Sequence, residues 1–247
     1  MARYDPERSG RLIEIEGKQV LTELSELVDA RHAALVLVDM QRDFVEPDGA
    51  MGRLGVDLGM YPPMRPRLAG LLEAARVAGV LVVHIQMSAL PDRLSDSPAQ
   101  MRFNLRMHAA VRAGGPPLRY TVEGTPGHEF VEELRPREGE LVVPKWRSSA
   151  FWGTNLNLLL RSNGIRSVIV TGCTTEGCVE STARDALFND YYVVIVEDCV
   201  ASDDRAQHDA SLLLMRNRFD IAHAAEVAAE WDAAAVRTGE EVVAGQA

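Results

Sequence analysis

The sequence predicts an α/β fold: a Rossmann-like three-layer α/β/α sandwich built on a six-stranded parallel sheet. Three observations carry the prediction. Six short apolar runs rich in β-branched residues recur along the chain, at 33–39, 80–87, 140–145, 167–173, 192–198 and 219–224. These runs are apolar almost throughout, as expected of strands buried on both faces of a parallel sheet. Helical patterns separate most of them, which is the alternation of a sheet covered by helices.

The elements follow in order. Residues 1–30 read as an N-terminal extension, in which Val20, Leu21, Leu24 and Leu27 stand at helical spacing and predict an amphipathic helix. "AALVLVD" (33–39) is the first strand and ends on an acid. A helix over 66–79 closes on Gly79, and "VLVVHIQM" (80–87) is the second strand. "ELVVPK" (140–145) is the third, followed by a helix over 154–164. "SVIVTGC" (167–173) leads into a helix over 178–190, and "YVVIVED" (192–198) into one over 204–218. "FDIAHA" (219–224) precedes a last helix over 225–237. The segment 88–139, rich in Pro, Arg, Met and Gly, breaks the rhythm; so long a connection is a lid or an oligomer contact.

Composition narrows the partners. The chain has 247 residues, enough for one substantial domain, here 31–247. A net charge of −10 argues against nucleic acid and anionic membranes, both of which need a basic face. No apolar run reaches the roughly 18 residues of a membrane span. The polar start "MARYDPERSGRLIEIEGK" has no apolar signal core, and three cysteines make no disulfide framework. The expected compartment is the reducing cytoplasm, where a bond between Cys173 and Cys178 would not persist.

The chemistry lies at strand ends. Asp39 closes the first strand, Lys145 the third, and Cys178 follows the fourth. In a right-handed parallel sheet all three fall on the one edge where open α/β sheets bind ligands. Cys178 stands at a helix start, where unpaired N–H groups and a nearby Lys145 would lower the thiol pKa. Asp39 could take the thiol proton and return it to a leaving amine, and backbone N–H groups of the turn could hold an oxyanion. That set fits acyl transfer at an amide carbon. Taken singly, each residue has a plainer reading: a buried thiol, a turn cap, a solvated charge. Their joint placement favours chemistry.

"ALVLVDMQRDF", "VPKWRSSAFWGTNL" and "VIVTGCTTEGCVESTARDAL" resemble the three signature blocks of the isochorismatase-like cysteine hydrolase superfamily, in order over roughly 33–225. That superfamily includes N-carbamoylsarcosine amidases, ureidoacrylate, biuret and maleamate amidohydrolases, and nicotinamidases. The resemblance implies an Asp39–Lys145–Cys178 triad and a thioester intermediate. It also implies a non-proline cis peptide at Cys173–Thr174 and an oxyanion hole from the Thr174 and Cys178 N–H groups. Cys173 would be scaffold. A homodimer or homotetramer is implied as well.

Departures within the family narrow the activity. Isochorismatases usually lack the cysteine, so Cys178 favours amide hydrolysis. Nicotinamidases carry a metal-binding Asp-x-His, but "DGAMGRLGVDLGM" offers Asp48 and Asp57 without a histidine, so no metal and no other cofactor is expected. The turn "TTEGC" points to a small linear amide or ureido (N-carbamoyl) substrate, with Arg93, Arg102, Arg106 or Arg205 as candidates for a substrate carboxylate. Phe44, Trp146, Phe151 and Trp152 adjoin the triad residues in sequence and could wall the pocket. The alternatives are a nicotinamidase or isochorismatase activity, or a non-catalytic binding protein on the same fold. No G-x-G-x-x-G follows the first strand, which disfavours dinucleotide binding.

Overall fold

The computed structural model describes residues 13–107 and 118–244, with side chains described as far as 236. Residues 1–12 of the N-terminal extension, 108–117 of the long connection and the side chain at 237 of the last helix lie outside the described residues.

A two-stranded hairpin, β1 (Ile13–Ile15) and β2 (Lys18–Val20), opens the described chain, followed by the single-turn helix α1 (Leu24–Leu27). The amphipathic helix expected here is therefore shortened: Val20 pairs with Ile13 in the hairpin, and only Leu24 and Leu27 of the four are helical. Glu16 (φ 50°) and Gly17 (φ 79°) form a two-residue left-handed turn, which suits a hairpin and which a helix cannot contain. Helix starts only beyond it, where Glu23 and Glu26 form a reciprocal capping box.

The main sheet begins at β3 (Ala33–Val38). Short helices α2 (Arg42–Val45) and α3 (Ala50–Leu54) lead to the long α4 (Tyr61–Ala78), then to β4 (Leu81–Met87). Helix α4 starts five residues ahead of the expected 66, because Tyr61 and Met64 extend the buried stripe of Leu68, Leu71 and Leu72. Pro62 and Pro63 cost little there, since first-turn N–H groups have no helical partner. The long connection carries α5 (Pro98–Met107) and reaches β5 (Leu141–Lys145). After it come α6 (Leu156–Ser162), β6 (Ser167–Cys173), α7 (Glu180–Phe188), β7 (Tyr192–Ala201), α8 (Arg205–Met215), β8 (Asp220–Ala222) and α9 (Ala224–Ala244).

The sheet order is β5-β4-β3-β6-β7-β8, parallel throughout. The chain steps outward from β3 to β5, then crosses to β6 on the other side of β3. This makes β3/β6 the switch point, where open sheets leave a ligand crevice. Alternation along β3 separates two cores. Ala33, Leu35 and Leu37 pack with side chains of α1, α4 and α9, whereas Ala34, Val36 and Val38 pack with those of α6, α7 and α8. The sheet is thus the middle of three layers, as the apolar runs require.

At the switch point the two strands approach closely. Gly172, at φ 104°, pairs with Val38, and a Cβ there would overlap the Val38 carbonyl oxygen. Only glycine fits both the angle and the space. Among the described residues no helix is long and apolar enough to cross a membrane.

Candidate active site

Asp39, Lys145 and Cys178 meet at the C-terminal edge of the sheet. Asp39 leaves β3 in the left-handed region at φ 54°, a conformation Asp tolerates better than most side chains. Its amide donates to the Ile85 carbonyl at 3.1 Å, and its carbonyl accepts from the Gln41 amide at 2.7 Å. Cys173, buried, donates its thiol to the same carbonyl at 3.3 Å. Gln41 holds the ends of β3 and β4 together: Nε2 donates to the Met87 carbonyl at 2.9 Å, and Oε1 accepts from the Met87 amide at 2.8 Å.

Lys145 ends β5, opposite Met87 of β4, and its side chain reaches past Met87 towards β3. Nζ lies 2.6 Å from Asp39 Oδ2 and donates to Cys178 Sγ at 3.1 Å and to the Arg147 carbonyl at 3.2 Å. Lys145 is 0% exposed and Asp39 1%.

Cys178 lies in a π-helical turn, Thr175–Val179, immediately before α7 rather than within its first α-helical turn. Such wide turns recur at functional sites. The Cys173–Thr174 peptide that leads into it is cis. The turn is tied to α8, where Thr175 Oγ1 bonds His208 Nδ1 at 2.8 Å and Ser211 Oγ donates to the Thr175 carbonyl at 3.4 Å. The loop after Lys145 is tied to α7: the Ala150 amide donates to Thr182 Oγ1 at 3.1 Å, and Ser149 Oγ donates to Asp185.

Burial decides the charges here. It pushes the Cys178 thiol up to about 12; Lys145 pulls down, but Asp39 pushes up again. That direction is opposite to the one a helix start and a lysine alone would give. Burial also raises Asp39 against the opposing pull of Lys145, which makes its carboxylate a stronger base than an exposed aspartate. For Lys145, burial favours loss of the proton, but Asp39 and Cys178 outweigh it and the ammonium persists.

Cys178 faces an open cavity, also lined by Asp39, Thr174, Glu176 and Asp203. Its apolar wall includes Phe44, Tyr61, Met87, Phe103, Met107 and Tyr120. Of the aromatic residues picked from the sequence, Phe44 lies in this wall. Trp146 lines a smaller adjoining cavity instead. Phe151 packs against Tyr191 at 5.9 Å between ring centroids, and Trp152 is 64% exposed beneath the Arg147 guanidinium. None of Arg93, Arg102, Arg106 and Arg205 lines the Cys178 cavity; Arg93 pairs with Asp96 and Arg205 with Asp209.

Sequence reasoning missed the wall residues of the long connection, Gln100, Phe103, Met107 and Tyr120. It also missed Asp43, whose buried carboxylate accepts from the amides of Ala50 at 2.9 Å and Thr121 at 2.7 Å and so fastens that connection. The acid in "MQRDF" was the only available signal. Among the described residues no cluster of three or more His, Cys, Asp or Glu side chains is placed to hold a metal ion.

Known proteins share this arrangement of elements. The chain is 36% identical over 172 residues to the ureidoacrylate amidohydrolase RutB of Enterobacter sp. (strain 638), covering 68% of this chain and 74% of that one. A cysteine hydrolase from Pseudomonas syringae pv. phaseolicola 1448A superposes with a TM-score of 0.71 at 25% identity, covering 84% of this chain and 96% of that one. The N-carbamoylsarcosine amidase of Thermoplasma acidophilum gives a TM-score of 0.60 at 29% identity, over 78% and 96% of the two chains. The Isochorismatase domain family matches residues 33–227, which span the whole parallel sheet up to the start of its last helix, and the chain belongs to that family.

Proposed function

We propose that the protein is a cysteine-dependent hydrolase of a carbon–nitrogen bond in a small linear amide or ureido compound. The observation that carries this reading is the position of Lys145 Nζ, 2.6 Å from Asp39 and 3.1 Å from Cys178 at the mouth of a cavity. The similarity to an amidohydrolase and to an amidase supports the bond type.

In this reading the Cys178 thiol proton passes to Asp39 as sulfur attacks the substrate carbonyl carbon. Lys145 stabilises the sulfur while it is anionic, and the N–H groups of Thr174 and Cys178 receive the oxyanion. The tetrahedral adduct collapses, the C–N bond breaks, and Asp39 returns its proton to the departing ammonia or amine. Water, deprotonated by Asp39, then attacks the thioester; its collapse releases the acid and restores the thiol. The raised thiol pKa fits this sequence, in which the proton moves when the carbonyl is in place. The segment 88–139 acts as a lid, an assignment supported by the four side chains it gives to the cavity wall. A homodimer or homotetramer is the proposed assembly, checked by light scattering.

Cys178→Ala and Cys178→Ser should abolish ammonia release across a panel of linear amides, N-carbamoyl amino acids, biuret and maleamate, with the fold kept. Mass spectrometry of the wild-type protein during turnover should show an acyl adduct on the peptide that contains Cys178. Full ammonia release by the alanine variant would overturn the covalent route.

A further inference from the structure

The turn that carries Cys178 is closed on itself by the Thr174 carbonyl, which accepts from the amides of Gly177 at 3.2 Å and Val179 at 3.1 Å. One of its residues faces the other way. Thr174, Glu176, Gly177 and Cys178 all line the cavity, but Thr175 does not and is 0% exposed. Its hydroxyl meets His208 Nδ1 of α8 at 2.8 Å and has no other hydrogen-bond partner among the described residues. The same helix holds the start of α7, where Ser211 Oγ donates to Glu180 Oε2 at 2.5 Å. His208 is buried and lines no part of the cavity.

The polarity of this bond follows from burial. A buried hydroxyl proton needs an acceptor, and Nδ1 is the one within reach. Thr175 therefore donates, and His208 is the neutral tautomer with its proton on Nε2. The reverse bond, from Nδ1–H to Thr175 Oγ1, would strand the hydroxyl proton. Burial favours the same neutral form, because it lowers the His208 pKa from 6.5 against the opposing pull of Asp209 and Glu197. Thr175 follows Thr174 directly and precedes Cys178 in the same turn. The N–H groups of those two residues are the oxyanion donors proposed above, and such donors act only when their direction is fixed before charge develops. A bond from a β-branched side chain, stiff at χ1, to an imidazole seated in a helix is a rigid link of that kind.

We propose that His208 is a positioning residue, which through its Nδ1 bond to the Thr175 hydroxyl aims the Thr174 and Cys178 N–H groups at the point where the substrate oxyanion forms. The inference rests on the reading of Cys178 as the nucleophile. It extends the catalytic machinery to α8, behind the cavity wall. Because the oxyanion exists only along the reaction, losing the bond should slow turnover and spare substrate binding.

The test has one arm without turnover and one with it. In nitrogen NMR of the histidine-labelled wild-type protein near neutral pH, His208 should be the neutral Nε2–H tautomer with Nδ1 accepting a hydrogen bond. Thr175→Val should move the Nδ1 resonance to the position of a free imidazole nitrogen. A proton on Nδ1 would overturn the assignment. In the second arm, kcat and KM are measured on the amide of the panel that wild type hydrolyses fastest. His208→Leu and Thr175→Val should lower kcat by roughly 10–100-fold and leave KM within about threefold. His208→Asn, whose Oδ1 can take the place of Nδ1, and Thr175→Ser should each keep most of the wild-type kcat. A His208→Asn variant as slow as His208→Leu would overturn the role, since burial and packing alone would then explain the loss. So would a loss that falls on KM, or an unchanged kcat in His208→Leu. A wild-type protein that hydrolyses no amide would instead overturn the reading of Cys178, a result that the tautomer arm cannot produce.

Discussion

The Lys145 ammonium and the Asp39 carboxylate form an ion pair at 2.6 Å between two side chains that are sealed from solvent. They come from strands separated by β4, so the pair exists only in the folded sheet. A buried charge is tolerable beside its partner and costly without it.

Removing one partner should therefore cost more than removing both. Lys145→Met leaves the Asp39 carboxylate buried alone and should lower stability by about 3–5 kcal/mol, and it should abolish turnover. The double variant Asp39→Asn/Lys145→Met should regain much of the stability and none of the activity. Urea unfolding of the wild-type protein and the two variants checks this; a double variant no more stable than Lys145→Met would show that the charge is not the cause.

Asp39→Asn should separate two properties of the thiol. Hydrolysis should fall by roughly 10²–10⁴-fold, because the proton acceptor is gone. Alkylation of Cys178 near neutral pH should become faster, because Asp39 pushes the thiol pKa up and Lys145 then acts on it unopposed. In the proposed route Asp39 must be ionised, and burial raises its pKa above the ordinary 3.8. The acid limb of kcat/KM should accordingly lie above that value, with rate lost as pH falls through it. Slower alkylation in Asp39→Asn would contradict the assignment.

Gly172→Ala should damage the site without touching it. The added methyl would meet the Val38 backbone at φ 104° and force β3 and β6 apart where Asp39 and the Cys178 turn leave them. A loss of about 3 kcal/mol and a large fall in kcat are expected, measured by thermal unfolding and ammonia release. A variant with native stability would show that the strands can separate cheaply.

Glu140 provides an acid-stability prediction away from the site. Burial alone would raise its pKa, but hydrogen bonds from Arg76, the Arg137 amide and His84 outweigh that and carry it from 4.5 to about 2. A carboxylate lowered in the folded state stabilises fully above its unfolded value and loses that contribution as pH falls. Glu140→Gln should thus be less stable than wild type by about 1–2 kcal/mol at neutral pH, after allowance for solvent screening. The gap should close as pH falls from 4.5 towards about 2, in denaturant titrations at each pH. A gap independent of pH would point to packing rather than charge.

Much of the fold was legible because its signals are local. Each β-branched run names a strand, the absence of alternation says that both faces are buried, and the parallel topology then fixes which end of every strand is shared. That is why the pattern alone places Asp39, Lys145 and Cys178 on one edge, from three strand ends far apart in sequence. The N-terminal helix is shorter than its apolar spacing suggests for an equally local reason, since the Glu16–Gly17 turn draws Lys18–Val20 into a hairpin.

What the sequence by itself determined was the alternation of strands and helices and the meeting of Asp39, Lys145 and Cys178 at one edge of the sheet. Tertiary structure alone decided the surroundings. It put Phe103, Met107 and Tyr120 of an aperiodic connection on the cavity wall and turned Trp152 out to solvent. It also set Asp39 and burial against Lys145 at the Cys178 thiol and pushed its pKa up, because a pKa depends on how much water and which charges stand around the group. Strand position follows from patterns a few residues long, whereas burial and cavity shape come from contacts between distant segments, which no short pattern records.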